Sequence, residues 1–77
     1  MITLDVAKEI AQKCFPDYPF FSIVDIEDKW AFSYDTPIPG LPFICVDKEN
    51  GSVSELCVPP IENLHIINNG ELIYYAK

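Results

Sequence analysis

The stretch WAFSYDTPIPGLPFICVDKENG, Trp30 to Gly51, decides how this chain folds. Trp30, Phe32 and Tyr34 alternate with Ala31, Ser33 and Asp35. Successive strand residues point to opposite faces, so this pattern reads as a β-strand with an aromatic face turned to a core. Prolines at 37, 39 and 42 stiffen the next segment, because each fixes its own φ and pushes the residue before it toward extended structure. PFICVD, residues 42–47, reads as the next strand. KENG follows as a hairpin turn in which Asn50 and Gly51 are expected at positive φ. SVSELCV reads as a further strand, stopped by Pro59-Pro60.

Working outward, Thr3 caps a predicted helix over residues 4–14, with Asp5 in its first turn and Lys13 in its last, matching the helix dipole. Leu4, Ala7, Ile10, Ala11 and Cys14 form its apolar stripe, and Pro16 ends it. FFSIVDIE, Phe20 to Glu27, reads as the first strand, with Asp25 and Glu27 on one face. A tight turn is expected at Asp28-Lys29. Beyond Pro60, Ile61, Leu64 and Ile67 recur at helical spacing before Asn69-Gly70, and ELIYY reads as a short last strand. A hairpin of LHII and ELIYY around NNG is the competing reading.

Together these elements predict a single small α+β domain over residues 1–77. An N-terminal helix packs on a four- or five-stranded, mainly antiparallel meander. Trp30, Phe32, Tyr34, Ile10 and Leu4 are the expected core.

Charge narrows the partners. Twelve carboxylates face five lysines and no arginine, a formal charge of −7. Nucleic-acid binding draws on clustered Lys and Arg, so neither nucleic acid nor an anionic membrane is an expected partner. An acidic surface suits solubility and also a basic protein partner, since complementary fields speed association. MITLDVAKEIAQKC carries no apolar signal-type core and no run approaches a membrane span, so the expectation is a cytoplasmic protein. Cys14, Cys45 and Cys57, odd in number and widely spaced, read as reduced and mostly buried thiols.

The residues supply little chemistry. His65 is the lone histidine, and no motif pairs it with a nucleophile. The three cysteines and His65 match a zinc set in composition but not in spacing. DKENG breaks the order of a calcium loop, because Asn50 falls one position early. No catalytic residue, metal or cofactor is therefore expected. The densest acidic patch is Asp25, Glu27 and Asp28, with Asp35 expected nearby; it is a solvated face or an anchor for a lysine-rich partner. Tyr74 and Tyr75 are adjacent in a strand, so at least one is expected to be exposed, and exposed tyrosine anchors many interfaces. Pro37 and Pro39 either guard a strand edge, the favoured reading, or preorganise a contact surface.

The order of helix, W-x-F-x-Y strand (Trp30, Phe32, Tyr34), Gly-x-Pro step (Gly40 to Pro42) and VDKENGSV (Val46 to Val53) resembles the immunity protein 35 family of bacterial polymorphic toxin systems. The resemblance covers residues 3 to 60 and implies a small cytoplasmic protein that neutralises a cognate toxin by binding it. Pro37 and Pro39 depart from the family's pattern. The helix-then-meander order ending in V-D-x-x-x-G-x-V is also similar to the PepSY-type domain, which implies an extracytoplasmic, peptidase-inhibitory module. Neither resemblance supplies catalytic residues. The expected function is a non-enzymatic binding protein that uses an acidic surface of Asp25, Glu27, Asp28 and Asp35. The alternative is an oligomeric structural or regulatory subunit held by an edge strand and the Tyr74–Tyr75 tail.

Overall fold

The computed structural model describes residues 1–37, 42–56 and 67–76. Among these residues helix α1 (Leu4–Cys14) comes first and is followed by strands β1 (Phe20–Asp25), β2 (Lys29–Tyr34), β3 (Phe43–Asp47), β4 (Val53–Leu56) and β5 (Glu71–Tyr75). The fold is α+β, as expected. The strands form a single antiparallel sheet in the order β4-β3-β2-β1-β5. The first four are the expected meander. β5 does not continue it but returns to pair with β1 at the opposite edge.

The helix begins where its cap dictates. Thr3 is extended and its hydroxyl accepts from the Val6 N–H at 3.3 Å. Ala7 and Ala11 face the sheet and are fully buried; their small side chains let the helix backbone sit close over the strands. At the other end the Gln12 side-chain amide donates to the carbonyls of Phe15 and Tyr18, at 2.9 and 2.7 Å, pinning the linker.

The aromatic alternation of β2 holds. Trp30, Phe32 and Tyr34 are buried under the helix with Ile23, Ile44 and Val46, while Ile10 and Leu4 pack against that core only half-buried. Phe15 and Phe20 add ring contacts to Tyr34 at 4.8 and 5.6 Å between centroids. The Tyr34 hydroxyl donates to the Ala11 carbonyl at 2.5 Å. The opposite face carries smaller side chains: Val24, Ala31 and Cys45 are buried, with Ile26, Phe43, Leu56 and Ile67 packed around them.

Four expectations need correction. β1 ends at Asp25, and the tight turn is Glu27-Asp28, one residue earlier than expected, because Ile26 N–H donates to the Lys29 carbonyl at 2.9 Å. Glu27 takes φ 70°, a conformation usually left to glycine at the first position of such a loop. In the KENG turn only Gly51 has positive φ (77°), and Asn50 instead caps the turn by accepting from Ser52 N–H at 2.8 Å. Cys14, expected mostly buried, is exposed, because it sits at the rim of the helical stripe. The edge-guard reading of the proline loop loses its basis, since the strands it joins, β2 and β3, are both interior to the sheet. Pro39 itself, like Cys57 and His65, lies outside the described residues, as does the helix expected after Pro60 up to residue 66. Ile67 and Asn68 are helical, and β5 is the strand expected of ELIYY.

Candidate functional site: an acidic end of the sheet

In an antiparallel sheet alternate turns fall at the same end. The Glu27-Asp28 loop, the Lys48–Gly51 turn and the start of β5 are therefore neighbours. The Lys48 N–H donates to the Asp28 carbonyl at 2.8 Å, which ties the first two together. This end gathers six carboxylates (Asp25, Glu27, Asp28, Asp47, Glu49 and Glu71) against two lysines, Lys29 and Lys48.

Both lysines are engaged locally. Lys48 Nζ lies 2.6 Å from Asp25 Oδ1 and 5.3 Å from the centre of the Trp30 ring, so its charge is spent on the core side of the sheet. Lys29 Nζ meets Asp28 Oδ2 at 3.3 Å in an exposed pair of little energetic weight. Asp25 also accepts from Glu27 N–H at 3.2 Å. Glu71 faces Asp25 directly across the β1–β5 ladder. Like charges in that position repel and destabilise the sheet.

A groove of about 490 Å³ opens at this end. Ile26, Cys45 and Leu56 contribute its apolar part, and Asp25, Glu27, Asp28 and Glu55 its acidic part. Gly70 lines it too, in a close approach: a Cβ there would come within 2.5 Å of Val24 Cγ1 and 2.7 Å of the Asp25 carbonyl. Burial pushes the Cys45 thiol above its ordinary pKa of 9.0, with Lys29 pulling it down and Asp28 raising it. A protonated thiol is a poor nucleophile.

The residues singled out from sequence are only partly brought together. Asp25, Glu27 and Asp28 share this end. Asp35 does not: it follows β2 at the far end, where its N–H donates to the Pro19 carbonyl, about 20 Å away by strand rise. Pro37 is exposed at that far end. Tyr74 and Tyr75 are both exposed, at 45% and 55%, on β5. Asp47, Glu49 and Glu71 escaped sequence reasoning, although counting strand directions along the meander would have joined the first two to Glu27 and Asp28.

Among the described residues no three His, Cys, Asp or Glu side chains are arranged to hold a metal ion. No described helix is long and apolar enough to cross a membrane. No family model, curated protein or solved structure matches the chain.

Proposed function

We propose that this chain is a non-enzymatic binding protein, an immunity protein that neutralises a toxin by docking its acidic end on a basic surface of that toxin. The observation that carries the reading is the crowding of six carboxylates at one end of the sheet, where Lys48 is turned back on Asp25 and Trp30. Such a field raises the association rate with a basic partner and lowers it with acidic ones. The cytoplasmic location and the bacterial toxin partner come from the sequence resemblance.

The test is coexpression with the larger protein encoded beside it. Growth of the expressing cells should be restored, and the two proteins should coelute. Glu27→Gln with Asp28→Asn should slow association and weaken its salt dependence. Absence of both rescue and coelution would sink the reading. A second reading, a self-associating subunit, draws on the exposed Phe21–Tyr75 ring pair at 5.0 Å beside β5, the edge strand among the described residues. Light scattering that finds a stable dimer would favour it.

A further inference from the structure

β5 is the edge of the sheet on the β1 side, and among the described residues it has a strand partner on that side alone. No described strand pairs with its backbone on the other side. Ala76 N–H donates to the Phe21 carbonyl at 2.8 Å, so the peptide groups of the preceding residue, Tyr75, point away from β1 toward the open edge. The side chains along it are apolar and exposed: Leu72, Ile73, Tyr74 and Tyr75 are each more than 40% accessible. Natural edges are usually blunted by lysine, proline or charge; β5 carries no lysine or proline, and its single charge, Glu71, stands at its first residue, leaving Leu72 to Tyr75 unguarded. The other edge, β4, exposes only Val53 among its large apolar residues.

We propose that β5 is the docking edge, and that it takes an extended segment of a basic partner protein as a sixth strand. Apolar side chains of that segment cover Leu72 and Tyr75, and a lysine or arginine lies beside Glu71 and Glu27. The proposal rests on the reading of the chain as a binder of a basic protein and names the element that does the binding. Charge selects the occupant. Glu71 already opposes Asp25 across the ladder, and Glu27 and Gly70 line one groove; with Lys48 on Asp25 and Lys29 on Asp28, the six carboxylates of this end still outnumber its lysines, so the start of β5 sits in a net negative field. A cation there removes a repulsion that the free chain carries. A second copy of this chain would instead add another net charge of −7. Main-chain bonds along the strand supply affinity, and the alternating contacts supply specificity.

The test uses a capped octapeptide of alternating valine and threonine with two lysines at its C-terminal end, the end that antiparallel pairing sets beside Glu71. A counterpart carries two glutamates there. The lysine peptide should shift the amide resonances of residues 71–76 and slow amide exchange at Tyr75. It should bind at least tenfold more tightly than the glutamate peptide. Tyr75→Pro removes the outward N–H and should weaken binding at least tenfold; Leu72→Lys, at an exposed position, should do the same if the proline variant does not fold. Equal binding to both variants, or shifts confined to residues 25–28 and 47–49, would overturn the strand proposal while leaving the acidic end intact as a binding surface. No binding of the lysine peptide, or a dimer of the free chain abolished by Leu72→Lys, would also overturn it. The coexpression result judges the toxin reading separately.

Discussion

The two ends of the sheet are built on opposite terms. At the end that holds Asp35, every strong interaction favours the fold. Tyr34 packs against Phe15 and Phe20, its hydroxyl bonds the helix at Ala11, and Gln12 satisfies two carbonyls of the linker. At the turn end the chain accepts costs. Glu27 occupies a left-handed conformation and Glu71 opposes Asp25. The first end shows no such conflict among these contacts, whereas the second sets a left-handed residue and a like-charge pair against its Lys48–Asp25 ion pair. Such local conflict with foldability is expected where a surface is shaped for binding.

The contrast breaks most visibly at Tyr34. Tyr34→Ala empties the packing at the stable end and should cost about 3–5 kcal/mol. In a 77-residue chain that is comparable to the whole stability, so chemical denaturation should show a lost or strongly shifted cooperative transition. Tyr34 also makes this end sensitive to alkali. Burial, and then the neighbouring Cys14, push its pKa well above the ordinary 10.0. Above that value the unfolded tyrosine ionises while the native one stays protonated. The contribution to stability is therefore complete below pH 10.0 and is lost as pH rises through the higher native value. The raised thiol of Cys45 adds a loss of the same sign beginning near its ordinary 9.0. Urea midpoints should fall from neutral pH to pH 11, and Tyr34→Phe should flatten the part above pH 10.

At the turn end the tightest point is Gly70. Gly70→Ala sets a methyl 2.5 Å from Val24 Cγ1 and against the Asp25 and Ile26 positions, so strand β1 or the start of β5 must shift. The expected cost is about 1–3 kcal/mol, measured by thermal melting. Because the shift displaces Glu71 relative to Asp25, binding of a basic partner should weaken as well. An alanine variant as stable as the parent would mean that this end is looser than its contacts suggest.

How much of this was legible in the sequence follows from range. The Thr3 cap, the helical stripe and the W-x-F-x-Y alternation are local patterns; the cap and the alternation hold, and the stripe holds except at Cys14, which is exposed. The place of β5 beside β1 was not legible, because nothing in ELIYY says which strand it pairs with. The same gap hid the acidic end. Lys48 and Asp25 are 23 positions apart, and only the strand order brings them to 2.6 Å. Asp35 looked close to Asp28 in the chain, yet an intervening strand carries it to the other end. The turn was misplaced by one residue because a glutamate at positive φ carries no signal of its own.

That glutamate offers the subtlest test of the comparison. A non-glycine residue in the left-handed region costs about 1 kcal/mol or slightly more. Glycine adopts the same φ without that cost, and the loop geometry is the one in which glycine is preferred. Glu27→Gly should therefore raise the unfolding free energy by about 1 kcal/mol, partly offset by the greater freedom of glycine in the unfolded chain. It also removes one of the carboxylates that line the groove, so association with a basic partner should slow and become less sensitive to salt. Stability and binding then move in opposite directions at one residue. If Glu27→Gly leaves stability unchanged or lowers it, the left-handed glutamate is not a cost that binding maintains. The difference between the two ends would then reduce to the repulsion between Glu71 and Asp25.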